Sequence, residues 1–130
     1  MAGGLALFWN AEKIDVDVLD SSQQCIHTTM MINSVRKVFS FVYDRPSCAW
    51  KDCFWVELKV FAETIDSPRC FLGDFNERWG GSASSHDVTN RVVNFKDRWS
   101  SCDLLDVDTS GCRFTWVRKN GGRIILQEKT

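Results

Sequence analysis

Between residues 38 and 72 the hydrophobic period of this chain changes twice, and no other feature constrains its fold as much. Residues 38–43, Val-Phe-Ser-Phe-Val-Tyr, are almost continuously apolar, as a central strand covered on both faces would be. The run stops at Asp44-Arg45-Pro46, because proline brings no N–H to a ladder and restricts the residue before it. Trp50, Phe54, Leu58 and Phe61 then recur at helical spacing, one stripe of an amphipathic helix, with Ser47 in position to cap it. After Asp66-Ser67-Pro68 a second apolar run, residues 69–72, reads as a strand. Strand, helix and strand with short connections make a βαβ unit, whose two strands end at one edge of a sheet. Tyr43 and Asp74 are therefore expected at the same edge.

The second strand runs into Gly73-Asp74-Phe75-Asn76-Glu77. In an extended segment side chains alternate, so Asp74 and Asn76 would share one side and Phe71, Gly73 and Phe75 the other. A carboxylate beside an amide at a strand end suits an oriented water, a metal ion or a phosphate. Gly, Asp and Asn are also the commonest turn residues, and a turn after Leu72 is the competing reading.

Elsewhere the patterns are shorter. Residues 5–9 form an apolar run expected to be a buried strand entered through Gly3-Gly4. Ile14, Val16 and Val18 alternate with Asp15, Asp17 and Leu19, Asp20-Ser21-Ser22 reads as a turn, and residues 25–32, rich in β-branched side chains, complete a hairpin. Residues 79–85 read as a flexible loop. A second helix follows with Val88, Val92, Phe95 and Trp99 as its stripe and Ser85 or Asp87 as its cap. Leu104-Leu105 is expected to be a short strand. Residues 113–117, with Phe114 and Trp116 on one face, pair with residues 123–126 through the turn signal Asn120-Gly121-Gly122. The whole reads as one α/β domain, a layered sandwich.

A chain of 130 residues can bury a real core. Its net charge of −1 excludes a global basic field, so any affinity for nucleic acid must come from a local patch. Arg118, Lys119, Arg123 and Lys129 form the clearest one; charged hairpin tips serve solubility equally well. Cys25, Cys48, Cys53, Cys70, Cys102 and Cys112 include no C-x-x-C pair, which argues against zinc. With no secretion signal and no stretch of membrane-spanning length, the cysteines read as reduced thiols of an intracellular protein. Glu57 and Glu63 read as solvent-facing helix charges, His86 as a surface or capping residue, and Glu77 as a site neighbour or an exposed loop charge.

Taken in order, Gly3-Gly4-Leu5-Ala6-Leu7-Phe8-Trp9, Tyr43 with Pro46, Gly73-Asp74-Phe75-Asn76-Glu77, Phe95 with Trp99, and Phe114-Thr115-Trp116 carry a resemblance. The chain resembles the endonuclease domain of plant LINE-type (non-LTR) retrotransposons, a branch of the endonuclease/exonuclease/phosphatase superfamily. The resemblance implies a deoxyribonuclease-like α/β sandwich and a Mg²⁺-dependent phosphodiesterase that nicks DNA. It also implies a reverse-transcriptase region in the full element and a nuclear setting. Asp74 matches the aspartate that positions or deprotonates the attacking water, and Asn76 the asparagine that holds neighbouring groups and the phosphate. Tyr43 matches the tyrosine that contacts the scissile phosphate. Phe114 and Trp116 match an aromatic element at the nucleic-acid surface, with core packing as the alternative for at least one.

The departures are specific. The family's metal-binding glutamate and its Ser-Asp-His motif have no counterpart, and neither His27 nor His86 matches the motif's histidine. Asp44 stands where relatives usually carry glycine, where a carboxylate would repel a phosphate, and the loop from Glu77 to Gly80 is short. The expectation is a partial domain spanning residues 1–130, truncated at both ends, with metal ligands unknown and catalysis absent or impaired. A non-catalytic nucleic-acid-binding remnant and another phosphoesterase of the superfamily are the alternatives.

Overall fold

The computed structural model describes residues 4–44, 48–77, 80–81, 86–107, 110–111, 116–121 and 123–129. Residues 48–50, 80–81, 86–92, 116–120 and 123–129 are described by backbone alone. The chain divides into two compact units, Met1–Phe75 and Asn76–Thr130. It is a mixed α/β protein, and its described residues form β1 (Val16–Ser21), β2 (Cys25–Ile32), β3 (Val35–Tyr43), α1 (Cys48–Thr64), β4 (Arg69–Asp74), β5 (Gly80–Gly81), α2 (His86–Ser101), β6 (Trp116–Asn120) and β7 (Arg123–Lys129).

The first unit holds a four-stranded sheet in the order β1-β2-β3-β4. The first three strands are antiparallel neighbours, and β4 returns parallel to β3 after α1, the βαβ unit expected from the change of period. Partners across a ladder share a face. Cys25 opposite Val42 and His27 opposite Ser40 therefore point one way, and all four are buried. Helix α1 covers this face: Phe61 stacks on the His27 ring with centroids 3.6 Å apart, and Phe54, Trp55 and Leu58 are buried beside it. Phe75 extends this packing by stacking on Trp55. Phe54, Leu58 and Phe61 lie on the expected stripe; the side chain of Trp50 and the proposed cap Ser47 lie outside the described residues.

Two hairpin turns set the register. Ser22 closes the first, its hydroxyl accepting from the amides of Gln24 and Cys25. Leu19 is the extra residue of a bulge, since Val18 faces Thr28 but Asp20 faces His27. The second turn is Asn33-Ser34, both at positive φ (53° and 62°), as a two-residue hairpin of the I′ type requires. It lengthens β3 to begin at Val35 instead of residue 38, because Arg36 and Lys37 obscure the apolar pattern without breaking the ladder. Near the strand ends Gly73 has φ 149°, and a Cβ there would overlap the carbonyl of Val42 on the neighbouring strand. That close approach carries β4 two residues beyond the expected end at Leu72, so Asp74 is a strand residue.

A buried ion pair ties the sheet to the helix at this same edge. Asp44, directly after β3, has no solvent exposure, and Lys51 on the second turn of α1 brings Nζ to 3.5 Å from its Oδ2. Gln24 Nε2 donates to Asp44 Oδ1 at 3.0 Å. The expectation that Asp44 would face and repel a phosphate is therefore corrected: its carboxylate points inward and is neutralised by Lys51.

In the second unit β5, β7 and β6 form a small antiparallel sheet in that order. Gly80-Gly81 pair with Lys129 and Glu128, so these two residues of the expected loop are a strand. The β6–β7 hairpin turns at Gly121, at φ 55°, as its turn signal indicates. Residues 112–115, including Phe114, lie outside the described residues, as does the cap Ser85. Asp87 falls inside α2, whose stripe is represented by buried Phe95 packing against Trp99.

Two expected strands are not found among the described residues. Residues 5–9 have no strand partner among the described residues, and Phe8 and Trp9 are 89% and 46% exposed. Asn10 closes a turn immediately after them, its carbonyl accepting from Lys13 and Ile14 and its side chain from Glu12. Leu104-Leu105 likewise have no ladder. They follow the unwinding end of α2, where Asp103 takes φ 54° and Leu105 is exposed.

Two outcomes follow from the buried polar groups. Lys51→Met strips Asp44 of its cation inside the core and is expected to cost about 3–5 kcal/mol of unfolding free energy in urea titrations. Adding Asp44→Asn should recover most of that loss, and a single variant costing under about 1 kcal/mol would show the pair to be solvated. Burial also lowers the pKa of His27 below its ordinary 6.5, against a weaker opposing pull from Asp20. The unfolded chain then takes up a proton near pH 6.5 that the folded chain resists, so this contribution is present above that pH and is lost as pH falls toward the folded pKa. Stability should fall by up to about 1.4 kcal/mol per pH unit in that window, and His27→Gln should flatten the slope.

Candidate functional site

The carboxyl edge of the parallel pair β3–β4 is where the polar residues singled out by sequence meet. Tyr43 and Asp74 are direct partners in the ladder. Partners on adjacent strands share a face at a separation of about 4.8 Å, so the phenol and the carboxylate leave the sheet side by side. Asp74 is exposed and Tyr43 half-buried. The backbone beneath them is fixed from both sides: Tyr43 N donates to Gln24 O at 2.8 Å, and Asp44 N donates to Asp74 O at 2.9 Å. The buried Gln24–Asp44–Lys51 group sits directly under this edge, so the strand end cannot shift without disturbing a desolvated charge.

Asn76 departs from the expected alternation. The strand ends at Asp74, and Asn76 takes φ 46°, a left-handed conformation that asparagine tolerates better than most residues. The argument from period two, which placed its amide on the face of Asp74, therefore stops one residue too early to apply. The competing reading, a turn after Leu72, is corrected: the strand continues through Asp74 and the backbone bends only at Asn76. Glu77 is buried, at 6% exposure, and is not the exposed loop charge that was one of its two readings. Asn76 and Glu77 open the second unit. Trp116 is the first residue of β6, and Phe114 lies outside the described residues.

Sequence reasoning did not flag the Asp44–Lys51 pair, although one signal existed. Lys51 falls on the same helical stripe as Phe54, Trp55 and Leu58, and a lysine on an apolar face needs a buried partner. Cys25 and His27 were also unmarked, and they stand close together: Cys25 Sγ lies 3.7 Å from His27 Nδ1. This is not an activated thiol. Burial, with the fields of Asp20 and Glu57, pushes the Cys25 pKa up to about 12, and the His27 nitrogen is engaged by Ser40 Oγ at 2.7 Å. A thiolate nucleophile needs the opposite environment. Cys25, Cys53, Cys70 and Cys102 are free thiols.

Magnesium takes one or two carboxylates together with waters and substrate phosphate oxygens. Asp74 is an exposed carboxylate at this edge, whereas Asp44 is committed to Lys51. Among the described residues no three His, Cys, Asp or Glu side chains converge on a common point. They do not by themselves make up a magnesium site, and no chemical step below runs through a metal ion. Among the described residues no helix is long and apolar enough to cross a membrane.

Compared with known proteins, the chain matches no family model and no curated protein.

Proposed function

We propose that this chain is an endonuclease-derived domain of the retroelement type, with a deoxyribonuclease-like sandwich as its parent fold and DNA as its substrate. The observation that carries the reading is the ladder pairing of Tyr43 with Asp74 at the carboxyl edge of a parallel pair. Ligands of open α/β sheets bind outside the carboxyl ends of the strands, which makes this edge the place for a phosphodiester. Asp74 is exposed and can accept a proton from an attacking water. The Tyr43 hydroxyl, leaving the sheet beside it, donates a hydrogen bond to a non-bridging phosphate oxygen as negative charge develops there. Attack by the water oxygen on phosphorus breaks the bond to one ester oxygen, which leaves with a proton as the free hydroxyl of a nicked strand.

The buried pair beneath the edge supports the reading by holding this geometry. Positioned groups are effective only when their backbone is fixed, and here both strand ends are anchored to one desolvated charge pair. The metal ligands that the related enzymes employ are not assembled among the described residues, so the expected activity is weak. Within the second unit, Arg118, Lys119 and Arg123 fall on the strands flanking the Gly121 turn, a local basic cluster in a chain of net charge −1.

The test is nicking of supercoiled plasmid by the purified chain in the presence of Mg²⁺. Slow conversion to open circles is expected, falling about 100-fold in Asp74→Ala, the size of effect a general base supplies. Nicking that survives Asp74→Ala unchanged would overturn the assignment of the base. Salt-sensitive binding to DNA without any nicking would instead make the chain a binding remnant, and turnover of a small phosphate ester but not of DNA would make it a different phosphoesterase.

A further inference from the structure

The helix-bearing face of the first sheet carries a groove of about 580 Å³ that phosphodiester chemistry does not use. Tyr43 and Asp74 lie on the opposite face, since Val42, one residue before Tyr43, faces Cys25 and the helix. The groove runs between α1 and the β1–β2 hairpin. Phe54, Leu58 and His27 line it as buried residues, Val60 lines it at 56% exposure, and two carboxylates, Asp20 and Glu57, belong to the same lining. Pockets for small molecules span roughly 300–1,000 Å³ and combine an apolar lining with a few polar groups, which describes this one.

The polar groups specify the charge of the occupant. The bulge at Leu19 turns Asp20 onto the face of His27, its partner in the ladder. Among the described residues that line the groove there is no lysine or arginine. The negative field reaches its interior, because Asp20 and Glu57 both add to the burial that holds the Cys25 thiol protonated. His27 is 6% exposed; its Nδ1 is engaged by Ser40, and Nε2 makes no hydrogen bond among the described residues. With a proton on Nδ1 donated to Ser40, Nε2 carries the lone pair of a ring that lines the groove. An anion would be repelled here, and a neutral apolar molecule would desolvate two carboxylates without replacing their hydrogen bonds. A cation with an apolar body satisfies both the lining and the charges.

We propose that this groove binds a small amphipathic amine, its apolar body against Phe54, Leu58 and Val60 and its ammonium group among Asp20, Glu57 and Nε2 of His27. The inference is independent of the phosphodiesterase reading, since no residue is shared. The probe is 2-phenylethylamine, titrated into the full chain while the His27 ring resonances are followed by NMR and the affinity is measured by calorimetry. Saturable shifts of the His27 ring are expected, with affinity at least about tenfold above that for 2-phenylethanol and no binding of phenylacetate. Asp20→Asn combined with Glu57→Gln changes two exposed side chains, leaves the fold intact by circular dichroism, and should lower the amine affinity about tenfold. Equal affinity for amine and alcohol, an unchanged affinity in the double variant, or no saturable shift would each overturn the proposal.

Discussion

A carboxylate removed from water must find compensating charge and hydrogen bonds, and the first unit is arranged around one that does. Asp44 follows β3, Lys51 reaches it from α1, and Gln24 reaches it from the turn into β2. Three segments are thereby held to one point. The amide of Asp44 adds a fourth by donating to Asp74 at the end of β4. Such a pair contributes less to net stability than an apolar replacement of the same shape could, because its desolvation is costly. What it supplies is direction: the strand ends at this edge have one arrangement in which the charge is satisfied. The exposed pair Tyr43 and Asp74 inherits its position from that requirement.

The parts of this fold that are legible in sequence are those governed by period. The apolar run of residues 38–43, the helical stripe through Phe54, Leu58 and Phe61, and the return at Arg69 are each long enough for their spacing to be unambiguous, and they give the βαβ unit. The hairpin at Gly121 is legible because glycine supplies the positive φ that its turn requires. The errors fall where a short apolar run was taken as sufficient for a strand. Residues 5–9 and Leu104-Leu105 have the composition of strands, but a strand is made by its ladder, and composition carries no information about a partner. Asn33-Ser34 shows the reverse case. Its polar flank, Arg36 and Lys37, hid three residues of β3 that the ladder nevertheless includes.

The candidate site divides in the same way. That Tyr43 and Asp74 share an edge follows from topology alone, and the register makes them direct partners. The placement of Asn76 failed because alternation is a property of extended backbone, and a left-handed φ two residues after Asp74 ends it. Asp44 was misread for a different reason. A charged residue at a strand end is ordinarily solvent-facing, and only the position of Lys51 on the buried stripe of α1 could have indicated otherwise. A charge on an apolar helical face is therefore informative about a residue on another element, here one seven positions earlier in the chain.

The two faces of the sheet acquire different chemistry from one alternation. Along β3, Ser40 and Val42 turn toward the helix while Tyr43 turns away, and β2 repeats the division with Cys25 and His27 on the helix side. On the helix side, burial keeps the Cys25 thiol protonated and holds His27 below its ordinary pKa, so both groups are neutral at physiological pH. That environment suits recognition and is unsuited to nucleophilic chemistry, which needs a thiolate or a solvated base. On the other face Asp74 is exposed to water. Gly73 connects the two regimes. Its lack of a Cβ lets β4 run close against Val42 for two further residues, and without that approach the strand would end before presenting Asp74 beside Tyr43. The placement of Asp74 beside Tyr43 thus rests on a steric allowance at one glycine as much as on the ladder itself.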